Sequence, residues 1–303
     1  MSDRIGGIVC PLATPLDDNE QLDVSALHTL LDRIMPDLDG IFPLGSSGEF
    51  AVLTERTADH LLDEVVSYVG GRMPVYVGIG ETGTTRARDS LKRLARPGVD
   101  YVVACTSYYY PLTDQEAVAA HFLTLADASP VPLVLYNIPQ NTATHIAPAT
   151  AARLAEHPNI AGMKDSWGDM FLHQEFLALR NDNFGVMQGR EQLAAASLWL
   201  GGDGIISALA NFAPALLQQV AAAVREGDHE RSLEVQRSIT ELARVFDQGY
   251  WLSALKAVLA ELGIGTGRLA TPLPACSPAQ RERIRQILQQ AQLLEGAQTW
   301  PVK

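Results

Sequence analysis

The chain has 303 residues, 47% of them hydrophobic, which is enough for a sizeable buried core and too apolar for disorder. Its 35 acidic and 23 basic side chains leave a formal charge of -12, so nucleic acid and anionic membrane surfaces are repelled at long range and a small molecule is the expected partner. Cys10, Cys105 and Cys276 are odd in number and far apart, giving neither a disulfide framework nor a zinc spacing, and are expected as reduced thiols.

The opening residues Met1, Ser2, Asp3 and Arg4 lack a basic region followed by an apolar signal segment. No run of about 18 uncharged apolar residues follows, so a cytoplasmic protein is expected. Strand-length apolar runs then recur at intervals of roughly 20 to 35 residues, separated by helix-like segments with polar faces. They are predicted at 6–10, 40–43, 74–78, 100–104, 131–136, 160–164, 185–188 and 204–207. Because each reads as buried on both faces, the expected fold is a closed α/β barrel, a (β/α)₈ TIM barrel over residues 1–213. Helical periodicity alone continues at 215–225, 229–246, 251–262 and 278–294, which predicts a C-terminal helical extension over 214–303.

Chemistry in such barrels sits where strands end, so those positions are read in turn. The second strand leads into Gly45-Ser46-Ser47-Gly48-Glu49, ahead of a helix starting near Thr54. Its consecutive amides can cradle a carboxylate and its hydroxyls add donors or a proton relay; an ordinary turn with N-cap serines is the alternative. After the third strand, Gly78-Ile79-Gly80-Glu81-Thr82-Gly83 matches the dinucleotide fingerprint. The next strand, however, ends in Cys105-Thr106-Ser107 with no acid for a ribose hydroxyl, so nicotinamide binding is not expected. Gly201 to Gly204 reads as the entry turn of the eighth strand, and Gly263 to Gly267 as a loop after a helix.

Tyr136 closes the fifth strand before the turn Asn137-Ile138-Pro139, as a proton-handling phenol or as an aromatic plug. Lys164 closes the sixth. The chain has four lysines, and the other three, Lys92, Lys256 and Lys303, fall in predicted helices or at the C-terminus. An amine buried among apolar neighbours has its pKa pulled toward neutrality and becomes a nucleophile for a carbonyl carbon; an ion pair with Asp165 is the alternative. His28, His60, His121, His145, His157, His173 and His229 show no paired spacing with carboxylates and read as surface or helix residues. No metal site is expected, which disfavours a metal-assisted aldolase.

The ordered set Gly45-Ser46-Ser47-Gly48-Glu49, Tyr136-Asn137-Ile138-Pro139 and Lys164-Asp165 resembles the dihydrodipicolinate synthase / N-acetylneuraminate lyase family of class I aldolases. The likeness begins at Ala13-Thr14-Pro15, takes in Ser107-Tyr108-Tyr109-Tyr110-Pro111 and Gly204-Ile205-Ile206-Ser207, and reaches Ala254-Leu255-Lys256 and Gly265-Thr266-Gly267-Arg268. It implies Lys164 as the Schiff-base lysine and Tyr136 as the tyrosine that moves protons. Ser46 and Ser47 are implied as the hydroxyl pair of the loop that binds the pyruvate carboxylate, and Ile206 as a backbone carbonyl facing the oxo acid. Tyr109 matches a tyrosine lent to a neighbouring subunit, which implies a homotetramer built as a dimer of dimers. No cofactor is implied. Asn141 stands where the synthases place an arginine, and Arg190 stands where sialic-acid lyases place an acid, so both are expected to bind a different second substrate end. The resulting expectation is an aldolase that joins or separates pyruvate and an aldehyde through a 4-hydroxy-2-oxo acid of the 2-oxo-3-deoxy sugar acid type. A dehydratase of such an acid, a dihydrodipicolinate synthase or N-acetylneuraminate lyase proper, and a non-catalytic oxo-acid-binding barrel are the alternatives.

Overall fold

The structure, a computed structural model, describes residues 4–294. Residues 1–3 and 295–303, Lys303 and the end of the 214–303 extension among them, lie outside the described residues.

Eight parallel strands run β1 Gly7–Pro11, β2 Gly40–Phe42, β3 Tyr76–Ile79, β4 Tyr101–Cys105, β5 Leu133–Asn137, β6 Ile160–Asp165, β7 Gly185–Gln188 and β8 Gly204–Ile206. Each pairs with its sequence neighbour, and β1 pairs with β8 as well as β2. The seam between β2 and β3 is closed by a parallel bridge, Ile41 to Val75, with the Ile41 amide donating to the Pro74 carbonyl at 3.0 Å. The result is the expected barrel. The helix after β8, Pro214–Arg225, packs against β1, and the helical part from His229 onward stacks outside it. The predicted helix at 229–246 is α-helical over His229–Ala243 and tightens to a 3₁₀ turn at Arg244–Asp247, and the one at 278–294 is shorter, Pro278–Gln290. Among the described residues, no helix is long and apolar enough to cross a membrane.

Two cores follow from strand alternation. One fills the barrel with residues such as Val9, Phe42, Val103, Val134 and Met187. The other, with Leu133, Leu135, Ile160 and Met163, lies between barrel and helices. In β6 the alternation is broken. Ala161 belongs to the inner core and Met163 to the outer, so the phase changes between them. The cause is a β-bulge: Leu133 pairs with Ile160, but Val134 pairs with Gly162, leaving Ala161 as the extra residue. Gly162 takes φ 152°, and a Cβ on it would overlap the Gly185 carbonyl oxygen. Without this bulge, plain alternation from Ala161 would turn Met163 inward and Lys164 out toward the helices. Gly162→Ala is therefore expected to cost about 3 kcal/mol or more, read as a lower midpoint in denaturant titration with an unchanged slope.

Gly78 and Gly80 are close-approach residues. A Cβ on Gly78 would overlap the Leu44 carbonyl oxygen, and one on Gly80 would run into the Phe50 ring, so these glycines seat β3 against the loop that follows β2.

Candidate active site

At the C-terminal mouth of the barrel lies a cavity of about 310 Å³, within the size range of small-molecule sites. Strand ends and the loops after them bring Ser46, Ser47, Tyr136, Lys164 and Ile206 to its wall, together with Asn141 and Arg190. Seven of the eight residues singled out from the sequence thus share one pocket. Tyr109 does not. It is 78% exposed, at φ 79°, with its ring edge-on to Tyr110 and away from its own chain's cavity.

Lys164 is 4% exposed. Its Nζ lies 4.1 Å from the centre of the Tyr136 ring and 5.3 Å from that of Phe42, so two aromatic rings flank the amine. The alternative pairing with Asp165 is not formed. Asp165 points the other way, as alternation requires, and its carboxylate accepts from Asn137 Nδ2 at 2.8 Å, the Trp167 amide at 3.2 Å and His173 Nδ1 at 2.9 Å. Among the described residues, no carboxylate forms an ion pair with Lys164. Asn137 and Asp165 are register partners one residue beyond Tyr136 and Lys164, so their hydrogen bond fixes the two reactive side chains against each other. His173 Nε2 continues the chain to Ser197 Oγ at 2.8 Å. Two of the histidines are helix residues on buried faces: His173 is fully buried, and His121 is buried between Thr84 Oγ1 and the Cys105 carbonyl. Helical spacing marks a buried face without saying which polar residues on it will find partners.

The loop after β2 is a 3₁₀ turn over Ser46–Gly48. Ser46 Oγ lies 3.5 Å from the Tyr136 hydroxyl, a separation that a bound substrate would need to tighten. Neither serine caps the helix Glu55–Val69; Thr54 does, accepting from the Thr57 amide at 3.2 Å. Glu49 ends the turn in the left-handed conformation, φ 63°, and dives into the interior. There it meets Lys256 Nζ at 2.8 Å and accepts the Ala270 amide at 2.8 Å. Lys256 also donates to the Thr14 carbonyl, and Thr14 Oγ1 donates to the Gly48 carbonyl at 2.8 Å. Desolvation is the larger influence on Lys256 and lowers its pKa, with Glu49 opposing.

Glu191, which follows Arg190 and which the sequence did not single out, also lines the pocket. Its carboxyl is buried and accepts from Ser207 Oγ at 2.7 Å, and burial pushes its pKa up. Phe246, Asp247 and Trp251, from the C-terminal helical part, roof the same cavity. Nothing in their local spacing signals this. Burial likewise pushes the Cys10 thiol well up and the Cys105 thiol to about 12, so both stay protonated and unreactive.

Residues 4–291 match the dihydrodipicolinate synthetase family. The chain is 33% identical over 292 residues to a 4-hydroxy-tetrahydrodipicolinate synthase of Methylococcus capsulatus, covering 96% of this chain and all of that one. It is 36% identical over 272 residues to an uncharacterized DapA-like lyase of Halobacterium salinarum, covering 88% of each. Among solved structures it is similar to the Escherichia coli prophage protein YagE, of the dihydrodipicolinic acid synthase family, in complex with pyruvate. That similarity has a TM-score of 0.90 at 26% identity, over 95% of this chain and 99% of the other.

Proposed function

Because the chain belongs to the dihydrodipicolinate synthetase family, we propose that it is the class I lyase in which Lys164 forms an imine with a 2-oxo acid, and that it cleaves or forms a 4-hydroxy-2-oxo acid of the 2-oxo-3-deoxy sugar acid type with pyruvate as one partner. The observation that carries this is a buried amine without a carboxylate partner, beside a phenol, at the floor of a small-molecule pocket.

In the cleavage direction, Lys164 Nζ adds to the C2 carbonyl and water leaves, giving a protonated imine. Tyr136 takes the proton of the C4 hydroxyl, the C3–C4 bond breaks, and its electron pair moves into the enamine as the aldehyde departs. Protonation at C3 and hydrolysis of the imine then release pyruvate and free the lysine. Ser46 and Ser47 would hold the carboxylate, and Ser46 would pass the proton onward from Tyr136. Tyr136→Phe is expected to lower kcat by about 10²- to 10³-fold. Borohydride trapping of the pyruvate adduct should persist in that variant.

The family name covers synthases that use an aldehyde with its own carboxylate, and Asn141 offers that group no bidentate charge. A dehydratase of the same sugar acid is the second reading, favoured by Glu191, a buried carboxyl lining the same pocket where a departing hydroxyl would need a proton donor. Product analysis with 2-oxo-3-deoxygluconate tests the proposal. Pyruvate and glyceraldehyde in equal amounts are expected. A dioxo acid without pyruvate would establish the dehydratase, and turnover only with aspartate semialdehyde plus pyruvate would establish the synthase. For Tyr109 we keep the reading of a homotetramer in which it reaches a neighbouring chain's pocket, supported by its exposure next to the 71%-exposed Tyr110. Tyr109→Ala should then lower activity while leaving the monomer's secondary structure unchanged by circular dichroism.

A further inference from the structure

On the pocket wall, Arg190 is held in place by hydrogen bonds and paired with no carboxylate among the described residues. Its Nε donates to the Ser166 carbonyl at 2.9 Å, and its backbone amide donates to Gln188 Oε1 at 2.9 Å. Gln140 Nε2 donates to the same Ser166 carbonyl at 3.0 Å, so the loops after β5, β6 and β7 meet at one oxygen. Using Nε in this way leaves the two terminal nitrogens of the guanidinium without a hydrogen-bond partner among the described residues. Elsewhere in this acidic chain Arg86, Arg93, Arg153, Arg180 and Arg285 each pair with a carboxylate. Arg190 does not, although Glu191 follows it and Asp247 lines the same cavity. Glu191 is turned to Ser207 instead, accepting from its Oγ at 2.7 Å.

Arg190 thus presents the pocket with a guanidinium that no carboxylate among the described residues pairs. The 2-oxo acid's own carboxylate falls to the Ser46–Ser47 loop, which leaves Arg190 for another group. We propose that Arg190 binds a second anionic group, a phosphate or carboxylate, at the far end of the substrate, so that the aldehyde partner of the reaction is itself an anion. The guanidinium presents a pair of parallel donors to two oxygens of such a group, a geometry that both phosphate and carboxylate satisfy. This inference rests on the imine reading of Lys164.

The test is aldol addition of pyruvate to glyceraldehyde, glyceraldehyde 3-phosphate and succinic semialdehyde, run alongside borohydride trapping of the pyruvate adduct. In the native protein kcat/KM is expected to be roughly 10- to 100-fold higher for an anionic acceptor than for glyceraldehyde, with the better of the two anions identifying the group. Arg190→Ala should remove that preference, lowering kcat/KM for the anionic acceptors at least about tenfold more than for glyceraldehyde, while the pyruvate adduct is still trapped. Arg190→Lys, which keeps the charge but not the fork, should fall between. An adduct that forms normally with no preference for either anion, with no turnover of them, or with equal losses for charged and neutral acceptors in Arg190→Ala, overturns the assignment of Arg190 alone. Failure of the adduct itself overturns the imine reading and this one with it.

Discussion

Lys164→Ala is expected to abolish the mass increase that pyruvate and sodium borohydride leave on the native protein, and to lower turnover by about four orders of magnitude or more. The size of the effect follows from what the amine supplies. Breaking a carbon–carbon bond next to a ketone leaves an electron pair that the unaided ketone accommodates poorly, whereas a protonated imine accepts it as a neutral enamine. Nothing nearby can substitute. Lys256 is committed to Glu49 and Thr14, and the other described lysine, Lys92, is on the surface beside Asp89. Lys164→Arg should be as inactive as the alanine variant, because a guanidinium keeps the charge over the Tyr136 ring but is not a nucleophile. An adduct of unchanged yield in Lys164→Ala would place the reactive amine elsewhere. Its absence from native and variant protein alike would favour a barrel that binds oxo acids without reacting with them.

The largest loss of stability is expected for Lys256→Met. Lys256 is 2% exposed and Glu49 3%, and their ion pair is satisfied on both sides, by the Thr14 carbonyl and the Ala270 amide. Removing the cation leaves the Glu49 charge buried beside a thioether, a change that costs about 3 to 5 kcal/mol in comparable pairs. For a chain of this size that is a fall in Tm on the order of 10 °C. The double variant Lys256→Met, Glu49→Gln removes both charges and should recover much of the loss. Calorimetry of the four proteins measures the coupling, and a single variant as stable as the native protein would mean that the pair contributes nothing. Because Glu49 also anchors the turn carrying Ser46 and Ser47, Lys256→Met should raise the KM for pyruvate even at temperatures where the protein stays folded.

The strands were legible because a central strand of a parallel barrel is covered on both faces and therefore reads as an unbroken apolar run. Lys164 was legible because a lysine at the end of such a run contradicts its surroundings in a chain that otherwise favours arginine. Its direction was not legible. Whether Lys164 faces the pocket or the helices depends on the bulge at Ala161, which is set by how the β5 backbone meets Gly162 and leaves no mark in the hydrophobic pattern. Lys256 was passed over as an ordinary helical lysine for a related reason. Its partner is 207 residues away in the chain, and no local period relates the two. Arg190 lines the cavity at the end of the seventh strand. The Ser166 carbonyl that aims it belongs to another loop, so its orientation emerged only from the assembled barrel.

The bulge also determines which kind of mutation β6 tolerates least. Many substitutions at Ala161 preserve the count of residues and therefore the orientation of everything after them. Gaining one residue between Gly162 and Met163 with the bulge kept would shift the phase, carrying Met163 into the barrel and Lys164 out among the helices, while composition and hydrophobicity stayed almost unchanged; losing the extra residue itself would leave both on their present faces. A descendant of this chain with such an insertion would still read as a barrel strand ending in lysine, and would have no amine in its pocket. In this fold the spacing of a residue from its strand's irregularity is as much a part of the active site as the residue itself.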